Sequence, residues 1–272
     1  MKRIIHLSDP HFGAADEKVA RAFLKQIHLS PPDLTILSGD MTMRASQKEL
    51  AAAREFIEQL PHPRILIPGN HDMPGAKHLL ERFADPFRRY RNSIQQDLEP
   101  ERYQDGIHTV CLNSSRSWGF YADWSEGRLS SRQLARAEER FMAIKDAKYR
   151  VLVLHHPLVE LALKGRAVVK PLIPLLECME RSKVDFVLCG HFHRSIIMPV
   201  GLSGSWHSIV SQAPTVCSTR LQGEPQGYHE ISFDFDHAKI VHHVYNDGDF
   251  SASTATAFAR DASGWSQSRL LL

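Results

Sequence analysis

Aspartate, asparagine and histidine recur in five short blocks of this chain: Asp9-Pro10-His11, Gly39-Asp40, Gly69-Asn70-His71-Asp72, His155-His156-Pro157 and Gly190-His191-Phe192-His193. Their donor atoms are all oxygen and nitrogen, with no thiolate. That chemistry suits Mn, Fe, Zn, Co or Ni better than a soft metal. Asp9, Asp40, Asn70 and the histidines alone supply two carboxylates, one amide oxygen and several imidazoles. Those are too many ligands for one ion and suit two. Burying them without a cation would cost several kcal/mol in desolvation.

Each block follows an apolar run. The runs read IIHLS, LTILS, ILIP, VLVL and FVLC. Strands are predicted at Arg3–Ser8, Leu34–Ser38, Arg64–Ile67, Thr109–Leu112, Arg150–Leu154 and Phe186–Cys189. Helices are predicted near Asp16–Leu29, Ser46–Leu60, Ala76–Asn92, Ser130–Lys148 and Pro171–Ser182. Strands alternating with helices imply an α/β fold with a largely parallel sheet buried on both faces. In such a sheet ligands bind beyond the carboxyl ends of the strands, which is where the blocks lie. After Gly190 the helices stop. Ser195–Pro199, Trp206–Ser211, Tyr228–Phe233 and Lys239–Tyr245 read as a mostly antiparallel sheet. Two sheets face to face with helices outside is the economical packing. No linker divides the chain; residues 1–250 are expected as one catalytic domain and 251–272 as a loose or surface-packed tail.

The five blocks in order across residues 9 to 193 resemble the calcineurin-like metallophosphoesterase superfamily. That resemblance implies a four-layer αββα sandwich of two mixed sheets with a dinuclear metal centre. It implies that Asp9, His11, Asp40 and His193 hold one metal and that Asp40, Asn70, His155 and His191 hold the other. The two ions would be drawn from Fe, Mn, Zn or Co. His71 would contact the phosphate or protonate the leaving oxygen, and Asp72 would fix a neighbouring imidazole. The size and the GHxH ending resemble the small bacterial branch with class III cyclic-nucleotide phosphodiesterases and glycerophosphodiesterases. The implied activity is hydrolysis of a small phosphodiester by a metal-bridging hydroxide. The alternatives are a phosphomonoesterase or nucleotide pyrophosphatase of the same superfamily, or a non-catalytic scaffold; the filled ligand positions argue against the last. The resemblance also favours a homodimer.

Other features carry less. His156 either faces substrate or fills space behind the ligands. The segment Asn113–Gly127 crowds Trp118, Phe120, Tyr121 and Trp124 beside Arg116. Arg116, Trp118 and Tyr121 are expected near the substrate if the loop starts at the metal edge, and the bland reading is loop packing. The remaining ten of the 16 histidines have surface or packing readings. The net charge of +2 offers no footprint for general nucleic-acid binding. Four scattered cysteines without metal or CxxC spacing fit a reducing, cytoplasmic compartment. No apolar run is long enough to span a membrane.

Overall fold

The computed structural model describes residues 1–116, 126–159, 168–204 and 206–268. Strand β1 (Lys2–Leu7), helix α1 (Glu17–Leu29), β2 (Leu34–Leu37), α2 (Gln47–Glu58) and β3 (Arg64–Leu66) build two consecutive βαβ crossovers, and their strands pair in parallel. A second parallel set follows with β5 (Ile107–Cys111), α5 (Ser131–Ala143), β6 (Tyr149–Val153), α6 (Leu172–Arg181) and β7 (Phe186–Cys189). An edge strand, β4 (Glu101–Gln104), pairs antiparallel with β5.

The later strands do not form a sheet of their own. They divide between the two parallel sets. Strands β8 (Ile196–Val200) and β9 (Ser208–Gln212) extend the second sheet, β9 parallel to β7 and β8 antiparallel to β9. Strands β10 (Gly227–Asp234), β11 (His237–Asn246), β12 (Asp249–Asp261) and β13 (Gly264–Ser268) extend the first. The orders are β13-β12-β11-β10-β1-β2-β3 and β4-β5-β6-β7-β9-β8.

Alternation along β1 explains the layers. Ile4 faces an apolar layer shared with Ile36, Val151, Phe186 and Phe233, between the sheets. Ile5 and Leu7 face the opposite way, onto Phe23 of α1 and Phe56 of α2. A third layer lies outside the second sheet, where Leu152 and Val187 meet Leu134 and Phe141 of α5 and Leu175 of α6. The result is the αββα sandwich. Helix starts follow their caps: Ser46 with Glu49, and Ser130 with Gln133, form reciprocal capping boxes.

Two expectations are corrected. The single helix expected over Ala76–Asn92 is two short ones, α3 (Leu79–Ala84) and α4 (Arg88–Ser93). Pro86 disfavours helical backbone at the residue before it, and Asp85 is extended at φ −156°. The stretch expected as a loose or surface-packed tail carries, up to Ser268, the hairpin β12–β13, paired along β11 rather than loose. A register shift opposite His242 and His243 leaves Ser253 without a cross-strand partner. This bulge switches the faces of β12. Phe250 packs toward α1, whereas Phe258, eight residues on, packs between the sheets. Trp265 of β13 is buried in that same layer. No helix among the described residues is long and apolar enough to cross a membrane.

Candidate metal centre

The parallel strands of both sheets deliver their carboxyl ends to one edge. Asp9 follows β1, Asp40 follows β2, Asn70 follows β3, His155 follows β6 and His191 follows β7. The blocks lock to one another across the sheets. His191 N–H donates to Asp9 Oδ2 at 2.9 Å, and Gly190 N–H donates to His155 O at 2.9 Å. Asp9, His11, Asp40, His191 and His193 all have positive φ, between 49° and 76°. Left-handed backbone is uncommon for residues other than glycine, and its concentration here marks a functional site. The glycines serve close approach. A β-carbon at Gly69 would collide with the Asp40 carboxylate, and one at Gly190 with Ser8 and Asp9.

Three imidazoles reveal which ring nitrogen is available. Nδ1 lies 3.2 Å from Thr42 O in His11, 2.8 Å from Ser38 O in His155 and 2.6 Å from Arg220 O in His193. A carbonyl oxygen only accepts, so each Nδ1 carries its hydrogen and donates. Each Nε2 is therefore a lone pair in the neutral ring. The Nε2 atoms of His11 and His193 are 2.9 Å apart, and Asp9 Oδ1 lies 3.6 Å and 3.3 Å from them. Asp40 Oδ2 lies 3.7 Å from His11 Nε2 and 3.2 Å from His155 Nε2. Asp9 Oδ1 and His155 Nε2 are buried without a hydrogen-bond partner. Lone pairs and carboxylates converging in this way repel one another unless protons or metal cations lie among them. The donor set fits divalent metal, and Asp9–His11–His193 and Asp9–Asp40–His155 each gather ligand atoms within 4.8 Å.

The electrostatics agree. Burial opposes ionisation of Asp9, but the neighbouring His193 and His11 rings outweigh it and hold the carboxyl well below its usual range. Burial likewise opposes charge on Asp40, where His155 and His71 prevail and the carboxyl stays ionised. Burial also opposes charge on His155, yet Asp40 raises it to about 9. His191 moves down to about 3, by burial and then by the nearby His155. Its Nδ1 is 3.1 Å from Asn70 Oδ1.

The sequence-derived set is thus brought together, with additions and corrections. His156 joins it: its ring is 4.7 Å from that of His191, and His155, His156 and His191 form a further group of metal-ligating type. Its Nδ1 is 2.8 Å from Ser114 Oγ. His71 packs edge-on against His11 at 4.9 Å. Its backbone N–H donates to Asp40 Oδ1, and its Nδ1 donates to Met43 O at 2.9 Å. Asp72 does not fix an imidazole as expected. Its carboxylate accepts from the N–H groups of Met41, Thr42 and Gly69 and from Thr42 Oγ1. It joins the turn after β2 to the turn after β3, because the 3-10 turn Asn70–Asp72 aims it back at those amides. Burial and the charge of Asp40 raise its carboxyl to about 6. Arg116 bonds to Gln133 Oε1 at the start of α5, and no hydrogen bond or ion pair among the described residues joins it to the cluster. Trp118 and Tyr121 lie outside the described residues. Arg220, which sequence reasoning missed, touches both His193 and His71. It lies in no motif, on a loop far along the chain.

A family model for calcineurin-like phosphoesterases matches residues 2–195. The chain belongs to the calcineurin-like phosphoesterase family. Curated relatives of this phosphoesterase include a probable cyclic nucleotide phosphodiesterase of Synechococcus, 29% identical over 192 residues, which are 68% of this chain and 67% of the relative. A probable glycerophosphodiester phosphodiesterase of Arcobacter nitrofigilis is 28% identical over 172 residues, 60% of this chain and 57% of the relative. Among solved structures, a purple acid phosphatase from yellow lupin seeds superposes with a TM-score of 0.69 at 12% identity, covering 96% of this chain and 54% of that one. The last likeness is one of fold.

Proposed function

We propose that this phosphoesterase is a metal-dependent hydrolase of small phosphodiesters, a cyclic nucleotide or a glycerophosphodiester, working with two transition-metal ions. The observation that carries the reading is the convergence of imidazole Nε2 atoms and two carboxylates on one buried edge, with Asp9 Oδ1 and His155 Nε2 lacking hydrogen-bond partners. Asp9, His11, Asp40 and His193 would hold one ion, and Asp40, Asn70, His155 and His191 the other. Bound metals would supply Lewis-acid charge for the phosphate and lower the pKa of water. The names of the Synechococcus and Arcobacter relatives support diester substrates over monoesters.

The chain's own residues supply the rest. The carbonyls of Thr42, Ser38 and Arg220 fix tautomer and orientation of three ligand rings. Asp72 braces the two turns that present Asp40 and Asn70. His71 commits Nδ1 to Met43 O, so Nε2 is the ring nitrogen left to meet the leaving oxygen. The test is a panel of cyclic nucleotides, glycerophosphocholine, and bis- and mono-nitrophenyl phosphates with added Mn²⁺, beside metal analysis of the purified protein. Diester turnover that rises with bound metal is expected. Hydrolysis of monoesters alone would point to a phosphomonoesterase, and no bound metal with no turnover would sink the enzyme reading.

A further inference from the structure

We propose that Arg220 is a substrate-binding residue, and that its guanidinium, held beside the His71 ring, forms a subsite for a phosphoryl oxygen on the His11–His193 side of the cluster. The inference rests on reading the site as a phosphoric-ester hydrolase.

Arg220 ends the segment that leaves β9 and runs back over the first metal block. That segment is pinned to the block's own backbone. Thr215 Oγ1 donates to Asp9 O at 2.6 Å, Asp16 N–H donates to Cys217 O at 2.8 Å, and Thr219 N–H donates to Ala14 O at 2.8 Å. Arg220 N–H donates to Ser218 Oγ at 3.1 Å. The Arg220 carbonyl accepts from His193 Nδ1 at 2.6 Å, so the residue is one hydrogen bond from a ligand ring. Its backbone is thus tied to the same block as the His193 ring.

The side chain turns toward His71. Nη1 lies 3.4 Å from His71 Nε2 and 3.7 Å from Met43 Sδ. Neither partner is an anion. Half-buried Arg220 forms no ion pair with any carboxylate among the described residues, unlike Arg89, Arg91 and Arg260. A guanidinium has five N–H donors, and these two contacts use one nitrogen. Because His71 Nδ1 donates to Met43 O, Nε2 in the neutral ring accepts from the guanidinium. The pair therefore presents a permanent positive charge with unspent donors, beside a cluster that carries two carboxylates. That arrangement suits an anionic phosphoryl oxygen, which guanidinium binds with defined geometry. The unspent guanidinium N–H donors beside the His71 ring would meet that oxygen. The charge does not depend on the leaving group, so the subsite takes diesters and the phosphate anions they release.

Orthophosphate is the probe. It would be titrated by calorimetry into Mn²⁺-loaded wild-type protein, Arg220→Met and Arg220→Lys, with bound metal counted in each. Arg220→Met is expected to weaken phosphate binding by about 10–100-fold with metal content unchanged. Arg220→Lys should recover part of that loss, since it keeps the charge but not the fork. With bis-nitrophenyl phosphate, the methionine variant should raise KM more than it lowers kcat. Unchanged phosphate affinity in Arg220→Met would overturn the proposal. So would loss of metal in step with loss of phosphate, which would make Arg220 a support for His193 only. The readouts separate the two claims. If wild-type protein hydrolyses no diester but binds phosphate through Arg220, the subsite stands and the diesterase reading falls. Diester turnover with Arg220-independent phosphate binding has the opposite meaning.

Discussion

The backbone N–H of His71 donates to Asp40 Oδ1 at 2.7 Å, while the other oxygen of that carboxylate faces His155 Nε2 at 3.2 Å. One carboxylate thus has a structural oxygen and an oxygen facing the imidazoles, the one proposed to ligate metal. The structural half ties the turn after β3 to the turn after β2. The other half points into the convergence of imidazoles. The candidate acid and the proposed bridging ligand are held in one unit, with the His71 ring placed by the group that its own main chain supports.

Asp40→Asn tests this division. The amide oxygen can still accept from His71 N–H, so the fold should persist. The negative charge facing His11 and His155 is lost. Bound metal should fall below stoichiometric, and diester turnover should drop by about 100-fold or more. Elemental analysis and steady-state rates check both. Full metal content in this variant would show that Asp40 is not a ligand.

His71→Ala should behave in the opposite way. No His71 ring nitrogen is among the convergent Nε2 atoms, so metal should be retained. Turnover of substrates with poor alkoxide leaving groups should fall by about 10²–10⁴-fold. The fall should be smaller for nitrophenolate, which leaves without a proton. Equal losses for both leaving groups would argue against an acid role.

The ligand blocks were legible because each parallel strand is buried on both faces and reads as an unbroken apolar run. The first polar residues after such a run must sit at the sheet's carboxyl edge. Asp9 and His191 were placed in this way although 182 residues separate them. What did not follow from the sequence depends on tertiary placement. Arg220 carries no motif, and its role follows from where the β9 segment crosses the first block. The contacts of Asp72 depend on the direction of a 3-10 turn. Strand β4 is exposed and has no apolar signature. Strand β12 is rich in Ala, Ser and Thr, and its bulge breaks the alternation that would have marked it.

The β12–β13 hairpin should be a structural necessity. Trp265 is 1% exposed, and its Nε1–H donates to Asp185 Oδ1 at 2.9 Å. Arg260 Nη1 donates to the same oxygen at 2.9 Å. Trp265→Ala should cost about 3–5 kcal/mol in urea unfolding. Trp265→Phe should cost less, because it keeps the ring in the layer and loses the bond to Asp185. A loss below about 0.5 kcal/mol for the alanine variant would mean that the hairpin is dispensable.

Two buried histidines between the sheets make stability depend on pH. His6 Nε2 is 2.9 Å from Ser38 Oγ and its Nδ1 2.9 Å from Ser211 Oγ, which is 2.8 Å from His229 Nδ1. His229 Nε2 is 2.8 Å from Ser195 Oγ. Burial lowers His6 to about 3, with Asp9 opposing it only in part. Burial, and then the neighbouring His6, His242 and His243, lower His229 well below its ordinary value. Both rings are therefore neutral in the folded chain near neutral pH. Below about pH 6.5 the unfolded chain takes up protons that the folded chain refuses, so stability falls with falling pH. Each histidine contributes about 1.4 kcal/mol per pH unit in that window, which for His6 extends toward pH 3. His229→Gln keeps hydrogen-bonding capacity and removes one titrating group. Denaturant unfolding of metal-free protein between pH 7.5 and 5 should give the variant the shallower slope. Equal slopes would mean that His229 titrates alike in the folded and unfolded chains.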